Sequence, residues 1–194
     1  MKSRLNFIIL ISLIFSLCAG CLPLVFVAGA TIGGAVVYDK RDTSTIFNDA
    51  TIGKQIKNKI NSDDLFRIYK TRIKIAVFNH VVLLTGEVPT NELRQRAYNI
   101  AMSVSKVKRV YNQIAVMPII SFREQSDDAL ITSKVKSMML VTRDLHSTQI
   151  KVVTENKVVY LMGIVTRKQA GLAANTTRHV TGVSKVVEVF EYEE

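Results

Sequence analysis

The chain has 194 residues and carries 26 Lys and Arg against 16 Asp and Glu, a net charge of +10. That length allows two small domains, and that charge favours anionic partners. Both cysteines lie before residue 22, which excludes a disulfide framework for the rest of the chain. The histidines, His80, His146 and His179, are scattered, and no H-E-x-x-H, G-x-S-x-G or P-loop pattern occurs, so the sequence reads as non-enzymatic.

Met1–Gly20 is basic at Lys2 and Arg4, apolar from Phe7 to Leu17, and ends Leu17-Cys18-Ala19-Gly20-Cys21. A charged start, a short apolar run and small residues before a cut form a secretory signal. The ending resembles a bacterial lipobox, which would make Cys21 the lipid-anchor residue and the new N-terminus. Cys18 stands where that pattern usually has Leu. Leu22 follows the anchor where an Asp would imply inner-membrane retention, so the resemblance implies the outer membrane, periplasmic face. A transmembrane anchor is the competing reading, because the apolar character resumes past Pro23 through Val37 and a bilayer crossing needs about 20 residues. Residues 21–47 are expected to be a lipidated tether, with insertion of Leu24–Val37 as the alternative.

Downstream, the sequence repeats itself. Val81–Val88 (VVLLTGEV) returns 77 residues later as Val158–Val165 (VVYLMGIV). Asp49-Ala50-Thr51-Ile52 matches Asp128-Ala129-Leu130-Ile131, and Ile56-Lys57 matches Val135-Lys136. The repeat predicts two copies of one module, 48–117 and 127–194, joined by a linker, 118–126. In the first copy, Asn48 or Asp49 is expected to cap a helix to about Asn61, with Ile52, Ile56 and Ile60 on one face. Asn61-Ser62-Asp63-Asp64 breaks it. Ile73–Phe78 and Val81–Val88 form a hairpin about Asn79-His80, because Asn tolerates positive φ. A helix from Asn91 to about Ser103 follows, then a third strand, Lys108–Val116.

In the second copy, Asp127 or Asp128 is expected to cap a helix to about Val141. The hairpin is Ile150–Thr154 and Lys157–Val165 around Glu155-Asn156. Thr166 and Gln169 read as a capping box, and the last strand is Ser184–Tyr192. Gly86 and Gly163 sit at equivalent points of the second strands and are read as structural glycines, marking a bulge or a close backbone approach such as that of a packed helix. The fold class is α+β: two tandem α-β-β-α-β modules, each a small three-stranded mixed sheet packed with two helices.

The charge is uneven. Residues 49–117 hold 12 basic against 5 acidic residues, and residues 127–194 hold 9 against 8. The outer faces of the first opening helix are polar. In the second, Ile131, Val135 and Met139 form a core stripe, and Leu130, Ser133, Lys134, Lys136, Ser137, Met138 and Val141 line a further face. Apolar residues beside lysines suit an interfacial helix on anionic lipid. The same face would equally suit packing against the first module. Asp63-Asp64 and Asp127-Asp128 read as helix-terminus charges. No metal or cofactor is expected, because no further ligands stand at fixed spacing.

An α-β-β-α-β module with a V-x-L-x-G-x-V strand, used twice behind a lipobox, resembles the BON family, and in particular its dual-BON outer-membrane lipoproteins. Ala101-Met102-Ser103-Val104 leading into Val110-Tyr111-Asn112, Asp128–Val135 and Val152–Val165 carry the likeness. Lys106 departs from it, standing where the family commonly has Gly, as at Gly182 in the second copy. The resemblance implies binding of anionic phospholipid through the second module, division-site placement, support of envelope integrity, and contact with the outer-membrane assembly machinery. Export removes nucleic acid from the partners. A periplasmic scaffold that binds protein partners is the alternative, and a cryptic hydrolase is disfavoured by the missing nucleophile arrangement.

Overall fold

The computed structural model describes residues 39–193. The signal, Cys21 and most of the tether, including Leu24–Val37, lie outside the described residues. In the first module, helices α1 (Thr43–Ser62) and α2 (Asp64–Ile68) precede strands β1 (Arg72–Phe78) and β2 (Val81–Val88). Helix α3 (Asn91–Met102) then leads to β3 (Arg109–Asn112) and β4 (Ala115–Val116). The second module holds α4 (Phe122–Val141), a short 3-10 turn (Ser147–Gln149), β5 (Lys151–Glu155), β6 (Val158–Val165), α5 (Arg167–Arg178) and β7 (Lys185–Tyr192). Both opening helices start upstream of the expected points. Asp42 caps α1, and Ser121 caps α4 in a full capping box with Glu124. The segment 118–126, read as a linker, therefore contains the first turn of α4.

The sheets are mixed. β2 pairs antiparallel with β1 and parallel with β3 and β4; β6 pairs antiparallel with β5 and parallel with β7. Each hairpin turns on two residues of positive φ, Asn79 (50°) with His80 (65°) and Asn156 (47°) with Lys157 (63°). Both angle pairs fit the turn whose twist matches the flanking strands. The second hairpin thus lies one residue beyond the expected Glu155-Asn156.

Asp49 and Asp128, expected as caps, are instead buried in mid-helix and hold the hairpins. Asp49 accepts from the backbone N–H of Asn79 (2.7 Å) and His80 (2.8 Å). Asp128 accepts from Asn156 (2.8 Å) and Lys157 (2.8 Å). A carboxylate taking two backbone donors is a strong tie, because charge-assisted bonds are worth more than neutral ones. One residue per repeat thereby fixes helix to hairpin.

Three apolar clusters account for the packing. Ile52, Ile56, Ile60, Leu93, Ala97 and Ala101 meet Val82, Leu84 and Val88 in the first module. Ile131, Val135, Met139, Ala170 and Ala173 meet Val159, Leu161 and Val165 in the second. Between the sheets, Ala76, Phe78, Val81 and Leu83 meet Tyr160, Met162 and Val189. The two sheets stack face to face with helices outside, and this explains why every residue of β2 is buried. Arg72 bonds Glu87 (2.8 Å) of its own module and Glu155 of the other, with Lys74 also on Glu155 (3.1 Å), so a charged cluster crosses the interface.

The glycines permit a close approach by a backbone carbonyl, not by a helix. A Cβ on Gly86 would lie 1.9 Å from Arg72 O, and Gly86 holds φ +108°. A Cβ on Gly163 would lie 2.7 Å from Gln149 O. Lys106 adopts φ 69° where Gly182 adopts 100°, so the first module makes the same turn with a residue that resists it. Of the expected Thr166–Gln169 capping box only half forms. Thr166 accepts from Gln169 N–H (3.3 Å), but the Gln169 side chain bonds Asp144 O (2.7 Å) and His146 N–H (2.8 Å) instead.

Candidate functional site

Because the sheets pack on each other, α4 stays on the outside of the stack. Its core stripe, Ile131, Val135 and Met139, is buried in its own module. The other side does not pack against the first module, so that alternative is set aside. Leu130, Ser133, Lys134, Lys136, Ser137, Met138 and Val141 are all exposed. Leu130, Lys134 and Met138 stand one above another at four-residue spacing, with Ser137 and Val141 in the adjacent row.

Leu130 is 59% exposed, Met138 48% and Val141 77%. Sequence reasoning missed Leu140, which is 68% exposed. It follows buried Met139 directly, and the helical period turns it away from the core stripe, toward exposed Ser133 and Lys136. Its signal in the sequence was the run Met138–Val141, four apolar residues that no single helical face can bury.

The electrostatics change along the helix. Its first two turns carry Glu124 and Asp127, whereas residues 129–143 hold Lys134, Lys136 and Arg143 and no carboxylate. Cations near a helix C-terminus are favoured by the axial dipole. Lys136 overhangs a cavity of about 220 Å³ that Leu140, Ser147, Thr148 and Ile150 also line. Nearby, burial, and then repulsion from Arg41 and Lys136, push the Lys151 ammonium below its usual range, with Asp49 opposing. Lys136 places a cation at the edge between α4 and β5, while the adjoining helix face is apolar. Such a face can lower methylenes into an acyl boundary and leave ammonium groups at phosphate level.

Among the described residues, no group of three or more His, Cys, Asp or Glu is placed to hold a metal, and no helix is long and apolar enough to cross a membrane.

The BON domain matches the chain twice, over residues 48–118 and 127–194. The chain belongs to the BON family. Its dual-BON arrangement is similar to that of outer membrane lipoprotein DolP of Haemophilus influenzae, at 36% identity over 89% of each chain. The 21 kDa hemolysin of Actinobacillus pleuropneumoniae is 32% identical over 79% of each chain. Osmotically-inducible protein Y of Escherichia coli is 28% identical, covering 79% of this chain and 77% of its own. Lys106 lies inside the first BON match and adopts the positive φ that Gly182 supplies without strain in the second.

Proposed function

We propose that this BON protein is an outer-membrane lipoprotein, anchored through Cys21 on the periplasmic face, that docks on anionic phospholipid through its second module and supports envelope integrity. The observation that carries the reading is the outer face of α4 from Leu130 to its C-terminus. Leu130, Met138, Leu140 and Val141 are exposed there together. Lys134, Lys136 and Arg143 stand among them with no carboxylate between residues 129 and 143. Exposed large apolar residues grouped on one helix mark an interaction surface, and the pairing of apolar and cationic groups favours an anionic lipid boundary. Docking of the folded module adds a second attachment beside the Cys21 anchor, and linked attachments bind with avidity. The similarity to a protein named as an outer membrane lipoprotein supports the location.

The test is co-sedimentation of a fragment of residues 39–194, which contains all three apolar clusters, with phosphatidylcholine vesicles lacking or containing phosphatidylglycerol. Binding is expected only to the anionic vesicles. It should fall at least about tenfold on changing both Leu130 and Met138 to Glu. Retained binding by that folded double variant would overturn the assignment of the face. Absence of binding by the parent fragment at low salt would overturn lipid docking itself and leave a scaffold for protein partners, held by Cys21 alone.

A further inference from the structure

The free edge of the first sheet forms a second surface. β1 ends the strand order β1-β2-β3, so one of its sides has no neighbouring strand. The two-residue turn makes Phe78 and Val81 the first bonded pair. Alternation then points the backbone groups of Arg72, Lys74, Ala76 and Phe78 toward β2 and those of Ile73, Ile75 and Val77 outward. The carbonyl of Val77 agrees, accepting from Lys151 Nζ at 3.1 Å across the module boundary.

No described residue bonds the outward N–H or C=O of Ile73 or Ile75. These groups open into a slot of about 590 Å³, walled by Gly53, Lys54 and Lys57 of α1 on one side and Val153 of β5 on the other. Lys74 lines it too and is paired with Glu155, whereas Lys54 and Lys57 are exposed and form no ion pair among the described residues.

We propose that this slot takes an extended acidic segment of a partner protein, added as a strand on the free edge of β1. Such an addition draws its affinity from main-chain pairing and its selectivity from the side chains that flank the edge. Here the flanking groups are ammoniums, so carboxylates on the incoming strand are favoured over cations. The apolar parts of Ile73, Ile75 and Val153 receive the alternate side chains. Lys151 occupies the carbonyl of Val77 and closes the far end, which limits the incoming strand to about four residues at the strand repeat. Lysines also guard edges against unwanted pairing, and that bland role is the negative outcome of the test.

The test uses the full chain in nonionic detergent and a fluorescent eight-residue peptide alternating Glu and Val. The controls are a peptide alternating Lys and Val and an acidic peptide with central prolines. The acidic peptide is expected to bind at least about tenfold more tightly than either control. Changing both Lys54 and Lys57 to Glu should abolish that preference, while Lys59→Glu, on α1 but outside the slot, should leave it intact. Hydrogen exchange of the Ile73 and Ile75 amides should slow when the acidic peptide binds. Equal binding of the acidic and basic peptides overturns the proposal, and so does binding that leaves those two amides exchanging as before.

Discussion

The two opening helices share a frame and differ on the side that faces out. α1 and α4 each bury one stripe, grip a hairpin through one Asp and stand over one sheet. At the positions equivalent to Leu130, Met138, Leu140 and Val141, the first module has Thr51, Lys59, Asn61 and Ser62. Inward positions are constrained by packing, so both copies keep large aliphatic residues there, Ile52, Ile56 and Ile60 in one and Ile131, Val135 and Met139 in the other. Outward positions are free of that constraint and record what each copy touches. The first copy has a solvated basic face beside a free strand edge, and the second has an apolar face edged by cations.

Breaking the shared frame should produce the largest effects. Gly86→Ala places a Cβ on Arg72 O and forces a left-handed φ on Ala, so a loss of about 3 kcal/mol or more is expected in urea unfolding. Gly163→Ala meets Gln149 O at a longer distance, with no positive φ, and should cost less, about 1–2 kcal/mol. Equal losses would contradict the difference in geometry.

Asp128→Ala strands two backbone donors and should cost about 3 kcal/mol, also by urea unfolding. Asp49→Ala should cost at least as much, because Arg41 additionally loses one of its two carboxylate partners, at 2.7 Å, and keeps Asp39. A milder effect at Asp49 would mean that the first hairpin is held by other contacts.

The difference between the outer faces can be probed by exchanging them. Leu140→Asn with Val141→Ser, which writes the first module's residues into the second, should weaken binding to phosphatidylglycerol vesicles about tenfold while leaving the unfolding midpoint nearly unchanged. Unchanged vesicle binding would detach the apolar face from docking. The smallest effect is expected at the turn before the last strand. Lys106→Gly should stabilise the first module by up to about 1 kcal/mol by removing side-chain strain at φ 69°, offset in part by the entropy of Gly and by loss of the Lys106–Asn48 bond. Differential scanning calorimetry would register it as a small rise in midpoint.

Much of the frame was legible because repetition doubles every local signal. A period-four apolar stripe, an Asn-led turn and a long apolar second strand each appear twice, and each marks an observed element, the second turn one residue later than expected. The helix starts were not legible. Asp49 and Asp128 have the composition of caps, and only the hairpins folded against them show that they are mid-helix anchors. The candidate face was legible in part. Leu130, Lys134 and Met138 follow from helical spacing, but Leu140 emerged only when the turn around it proved open to solvent.

The sequence by itself determined two modules, their α+β content and the stripes that bury each helix, because hydrophobic periodicity and turn chemistry act over a few residues. Tertiary structure alone decided that the sheets stack on each other. That pairing depends on the second face of each strand, and in a run such as VVLLTGEV both faces are apolar, so no alternation reveals which partner covers which side. The stacking places α4 outside and opens the edge of β1. Both candidate surfaces therefore follow from a contact between residues far apart in the chain.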